Sequence, residues 1–171
     1  TVYYSYKQFE QRKQIRDTLI GCIHATNQWI EHIDRRITAA RAYAVSGESR
    51  YRNDFLIERT STDLRNSSFQ PLYQAGLTRS ERVLLETIQS RSDALLAMEQ
   101  EAIDAVSRGN PPLATSLLYG ERYVQARQSV VDLIRSAGSN IETRISMQAQ
   151  SFSERADTIK WIAIWPNILN M

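Results

Sequence analysis

The chain is poor in residues that turn, crosslink or bind metals. Six glycines and four prolines in 171 residues are about half the usual share of these turn formers, which disfavours a many-turned β-sandwich or β-barrel. One cysteine, Cys22, rules out an internal disulfide and every multi-cysteine metal site. It reads as a small buried hydrophobe rather than a reactive thiol. The two histidines, His24 and His32, stand eight apart with no partner histidine elsewhere, and neither Glu-x-x-His nor Cys-x-x-Cys-His occurs. Glycine-rich phosphate loops and nucleophile elbows are missing as well. The expectation is a chain with no catalytic residues, no metal and no cofactor. Charge of one sign is also lacking: 21 Lys and Arg face 19 Asp and Glu, for a formal net charge of +2. Without a clustered basic stripe, a nucleic-acid partner is not expected. No stretch reaches the roughly 20 apolar residues of a membrane span.

What is present is helical. The breaks cluster at Gly47, at Pro71 to Gly76, and at Gly109-Asn110-Pro111-Pro112, giving four segments. In the first, Leu19, Ile23, Thr26, Ile30, Ile33, Ile37, Ala40 and Ala44 alternate in steps of four and three, a heptad seam. Leu84, Ile88, Arg91, Leu95, Met98, Ala102 and Ala105 repeat it in the third. The fourth carries it through Val124, Arg127, Val131, Ile134, Gly138, Ile141, Ile145, Gln148 and Phe152. The second segment is weaker, with Tyr51, Phe55, Thr62, Phe69 and Leu72 interrupted by Glu58 and Arg65. Thr78-Arg79-Ser80-Glu81 predicts a capping box, and Gly47 and Gly109 suit left-handed helix stops. Gly21, Gly120 and Gly138 fall inside stretches that keep helical period. The prediction is one all-α domain over 1–171, an up-down-up-down four-helix bundle with helices at about 3–46, 50–71, 79–108 and 112–164.

These lengths are unequal. The first and fourth helices outrun the second and third, which predicts a four-helix head on a two-helix stalk. Two helices bury a seam poorly, so a parallel homodimer through the first and fourth helices is expected. Both ends carry aromatics beside lysine, Tyr3-Tyr4-Ser5-Tyr6-Lys7 and Lys160-Trp161-Ile162-Ala163-Ile164-Trp165, a pairing typical of the membrane–water boundary. Starting at Thr1 rather than Met, the chain reads as a piece cut from between two membrane spans.

Several motifs resemble the helical-bundle sensor domains of bacterial transmembrane receptors. Ala42-Tyr43-Ala44-Val45-Ser46-Gly47-Glu48-Ser49-Arg50-Tyr51 resembles their first hairpin, and Gly76-Leu77-Thr78-Arg79-Ser80-Glu81 with Leu84-Leu85 the opening of their third helix. Ser92-Asp93-Ala94-Leu95-Leu96-Ala97-Met98-Glu99-Gln100-Glu101-Ala102 is similar to the middle of that helix, and Leu117-Leu118-Tyr119-Gly120-Glu121-Arg122-Tyr123 to the start of the fourth. The resemblance covers roughly residues 40–135. Such domains precede the cytoplasmic parts of chemoreceptors, diguanylate cyclases and histidine kinases. It implies an extracytoplasmic, periplasmic input domain of an inner-membrane protein, which binds a small ligand or a periplasmic binding protein and signals without catalysis. The competing reading is a soluble helical-bundle module that binds a partner protein and no small ligand.

Arginine in the seams is the anomaly. Counted in turns from the breaks, Trp29, Arg65, Arg91 and Arg127 fall within about one 5.4 Å turn of each other. An unpaired charge at an apolar-periodic position would be costly. Either the guanidinium groups snorkel or pair with Asp63, Asp93 or Glu31, or the layer binds an anionic ligand such as a carboxylate. In the second case Arg91, Arg127 and Arg65 supply planar forks and Trp29 an apolar wall. Glu58, Glu99 and Arg36, nearer the tip, are expected to form a structural ion-pair layer.

Overall fold

The computed structural model describes the backbone over 2–60 and 70–168, and the side chains of 6, 7, 9–60 and 70–151. It is all-helical, with no strand among the described residues. The elements are α1 (Val2–Ser46), α2 (Ser49–Thr60), α3 (Arg79–Ser107), α4 (Pro111–Tyr119) and α5 (Glu121–Ile168), with residues 70–74 also helical. At 1.5 Å per residue the 45 residues of α1 and 48 of α5 run about 70 Å each, and the 29 of α3 about 44 Å. The length disparity is therefore a property of the structure. No helix among the described residues is long and apolar enough to cross a membrane.

Local chemistry sets the ends. Gly47, Gly76 and Gly109 take φ of 68°, 69° and 81°, the left-handed region where a side chain is strained. At α3 the capping box forms in full: Thr78 Oγ1 accepts from the Glu81 amide, and the Glu81 carboxylate accepts from the Thr78 amide at 2.7 Å. Asn110 caps α4 by accepting from the Leu113 amide, with Pro111 and Pro112 in the first turn where no amide partner is needed.

The expected fourth helix over 112–164 is in fact two, broken at Gly120. Its backbone is extended there (φ −66°, ψ 151°), and a Cβ at this position would lie 2.6 Å from the Ser116 carbonyl oxygen. Helical period reads through Gly120 as it does through Gly21 and Gly138, which are helical, so the break leaves no mark in the pattern. Arg41 seals it: Nη2 donates to the Leu118 carbonyl oxygen at 2.9 Å, and the guanidinium lies 4.5 Å from the Tyr119 ring centroid. The expected second helix at 50–71 is helical over Ser49–Thr60 and again at 70–71, and 61–69 lie outside the described residues.

α1 packs on α2, α3, α4 and α5, and α3 on α4 and α5. The core runs along α1 through Cys22, Ala25, Trp29, Ile33, Ile37, Ala40 and Ala44. On α3 it takes Leu85, Ile88, Leu95 and Ala102, and on α5 Tyr123, Val130, Ile134 and Ile141. Phe55 is fully buried and anchors α2. Three expected seam residues stand one position out of phase: Ile23, Arg91 and Val124 are exposed, while Cys22, Ser92 and Tyr123 turn inward. A residue is only 100° of helical rotation, so a neighbouring position fits a heptad template nearly as well until packing chooses between them. Gly138 is a close approach, since a Cβ there would lie 2.8 Å from Thr26 Oγ1.

Candidate functional site

The polar layer near the tip is the best-ordered chemistry in the core. Arg36 of α1 and Glu99 of α3 form a tight buried ion pair, with a further contact of 3.4 Å from Arg36 Nη2 to Glu99 Oε1. Tyr123 of α5 donates its hydroxyl to the same carboxylate at 3.0 Å. Glu99 is wholly buried. Burial pushes its carboxyl above the ordinary range, against the opposing pull of the Arg36 charge and the hydrogen bonds from Arg36 and Tyr123. Burial, then the neighbouring Glu99, drives the Tyr123 phenol far above its usual value, so it stays a donor. The layer couples three helices and presents nothing to solvent. Glu58, expected to join it, lies instead on α2, with Oε2 2.9 Å from His32 Nδ1 and Oε1 3.7 Å from Arg35 Nε.

The structure does not bring Arg91 and Arg127 together. Arg91 is exposed and donates to Ser129 Oγ of α5 at 2.6 Å. Arg127 reaches the other way, its Nη2 2.6 Å from Asp34 Oδ1 of α1. Residues 127 and 129 are about 200° apart around α5, so the two guanidinium groups work on opposite flanks of one helix. Arg127 pairs with Asp34 rather than Glu31 or Asp93, and its Nε is buried without a hydrogen-bond partner among the described residues. Trp29 is in the core of α1. Arg65 and Asp63 lie outside the described residues.

A concave site exists elsewhere. A groove of about 680 Å³ opens between α1 and α2, with Arg135 of α5 at its edge. Its apolar surface comes from Ile30, Ala39, Tyr51 and Ile57, and Ile57 is 62% exposed. Asn27 and Thr38 add neutral polar groups; Glu31, Asp34, Asp54 and Glu58 add carboxylates against the guanidinium groups of Arg35 and Arg135. The volume is within the usual 300–1,000 Å³ of small-molecule sites. Among the described residues no three His, Cys, Asp or Glu side chains gather as a metal-ligand set. Heptad reading of the core missed the groove, although a second stripe, Ile20, Ile23, Asn27, Ile30 and Asp34 at steps of three and four, was present in the sequence.

Comparison adds no relative. No family model, curated protein or solved structure matches the chain.

Cys22, the lone thiol, is buried. Its Sγ lies 3.9 Å from the Pro71 carbonyl oxygen. Burial, followed by the nearby Glu142 charge, raises its pKa, which suppresses the nucleophilic thiolate. It packs rather than reacts.

Proposed function

We propose that this chain is the extracytoplasmic sensor domain of a transmembrane receptor, built as an up-down-up-down four-helix bundle in which α4 and α5 together serve as the last helix. The length disparity carries this reading. α1 and α5 run well beyond the length of α3, as a head needs if its signal is to leave along two helices. The sequence resemblance of residues 40–135 to such sensor domains supports the same assignment, as do the aromatic and lysine residues at both ends.

The groove between α1 and α2 is the ligand site in this proposal, because it is the concave surface that reaches the signalling helices from outside the core. A ligand bridging α1, α2 and Arg135 of α5 would bias α1 against α5, and small sliding or rotation of packed helices transmits such a bias. The assembly is a parallel homodimer along α1 and α5. It is supported by an outer row of exposed apolar residues on α1, Tyr6, Phe9, Ile20 and Ile23, which a single bundle leaves uncovered.

The coding sequence on either side provides the test. An apolar run of about 20 residues before Thr1 and another after Ile168, with the protein recovered in the inner-membrane fraction, is expected. Charged flanks and a soluble product would overturn the receptor assignment and favour a helical interaction module, for which the same outer row of α1 would be the binding face.

A further inference from the structure

We infer that the α1–α2 groove selects an organic ammonium ion with an apolar body, rather than the anionic ligand that seam arginines suggested. This rests on the groove being the ligand site and names the class of ligand that fits it. Four carboxylates line the groove, Glu31, Asp34, Asp54 and Glu58, against two guanidinium groups, Arg35 and Arg135. What decides the class is which of these charges are already satisfied. Asp34 is held by Arg127 at 2.6 Å. Glu58 is held by His32 at 2.9 Å and approached by Arg35 at 3.7 Å. Arg135 leans on Asp132 of its own helix at 3.8 Å. Arg35, already shared with Glu58, is Glu31's only ion-pair contact among the described residues, at 3.8 Å. Asp54 has no ion pair or hydrogen bond among the described residues.

The charge left least satisfied is therefore negative, and it comes from both walls: Glu31 from α1, which only shares Arg35, and Asp54 from α2. Between them lie Ile30 and the exposed side chain of Ile57, with Tyr51 and Ala39 beyond. An ammonium head can donate to these carboxylates as a charge-assisted hydrogen bond, while its hydrocarbon body covers aliphatic surface that now faces water. A carboxylate ligand would meet the same two side chains as like charges. It would also have to draw Arg35 or Arg135 away from existing partners.

The test uses the 171-residue chain with two probes of matched body and opposite charge, 2-phenylethylammonium and 3-phenylpropanoate, followed by amide chemical shifts in an NMR titration. Saturable shifts confined to residues 27–39 and 51–58 and to the neighbourhood of Arg135 are expected with the ammonium, and none with the carboxylate. Asp54→Asn should weaken ammonium binding roughly tenfold, the scale of one hydrogen bond to a charged group, and Glu31→Gln should add to it. Both side chains are exposed, so melting should be unchanged, and Asp17→Asn, outside the groove, should leave affinity intact. Tighter binding of the carboxylate, or ammonium binding indifferent to Asp54→Asn, would overturn the ammonium assignment while leaving the groove as a site. Binding of neither probe would overturn the groove itself, and the flanking-sequence test of the receptor assignment stands apart from all three results.

Discussion

Two rows of residues run along α1 with much the same spacing and meet different fates. The inner row, Cys22, Ala25, Trp29, Ile33, Arg36, Ala40 and Tyr43, is buried on α3, α4 and α5, and even its arginine is enclosed. The outer row, Tyr6, Phe9, Ile20 and Ile23, faces water, with Phe9 65% and Ile20 58% exposed. Periodicity therefore states that a helix has faces; the number of neighbouring helices decides which face is covered. Stability should reside in the inner row and association in the outer one. Substitutions can separate the two.

The largest effect is expected at the buried pair. Glu99→Ala strands the Arg36 guanidinium in the core and leaves the Tyr123 hydroxyl without its acceptor. Removing one partner of a buried pair costs about 3–5 kcal/mol, which a urea-unfolding midpoint would register. Replacing both, as Arg36→Met with Glu99→Leu, should recover most of that loss, because well-packed apolar groups can substitute for a buried pair. If the double variant stays as unstable as the single, the layer contributes more than a satisfied charge.

Next is the close approach of α1 and α5. Gly138→Ala places a Cβ against Thr26 Oγ1, which is itself fixed by donating to the Cys22 carbonyl oxygen at 2.9 Å. A cost of about 1–3 kcal/mol is expected for overpacking of this kind. Thr26→Ala removes the obstructing atoms, so the two changes together should cost less than their sum. Additive costs in a double-mutant cycle would show that the helices do not meet at this point.

How much of this was legible in advance follows from the same contrast. The breaks at Gly47 and Gly109, the capping box at Thr78 and Glu81, and the long first helix are local signals, and each is present in the structure. The Arg36–Glu99 pair was readable because counting turns from the breaks puts opposite charges at similar heights near the tip. Its third member, Tyr123, was not, since Val124 fitted the template equally well and only packing chooses between positions 100° apart. Arg91 failed for the same reason: Ser92 turns inward and Arg91 outward to Ser129. The break at Gly120 was hidden because nothing in the sequence separates an extended glycine from the helical Gly21 and Gly138. The groove was hidden because it depends on which carboxylates are already paired.

Acid should loosen the base of the inner row. Glu81 is nearly buried; burial works to raise its pKa, but the hydrogen bond from Arg144 at 2.8 Å and those from Thr78 outweigh it and hold the group below its ordinary 4.5. A carboxylate with a depressed folded-state pKa contributes stability that is present above 4.5 and lost as pH falls through the lower folded value. Unfolding midpoints measured from pH 7 down to pH 3 should therefore fall less steeply in Glu81→Gln than in the parent chain. Equal slopes would mean that Arg144 and the cap do not favour the ionised form.

The smallest effect on stability should accompany the largest effect on association. Ile20→Ser with Ile23→Ser removes apolar atoms that water already reaches in the single chain, so each change should leave the unfolding free energy within roughly 0.5 kcal/mol. If the outer row is the dimer face, the same pair of changes moves the sedimentation coefficient toward that of a monomer at concentrations where the parent chain associates. The variant Thr26→Ala, at a buried position beside the inner row, should do the reverse, losing stability and keeping its association. A double serine variant that unfolds readily would place these isoleucines in the core of the single chain. One that is stable and still dimeric would move the interface off α1, leaving the exposed row to another partner.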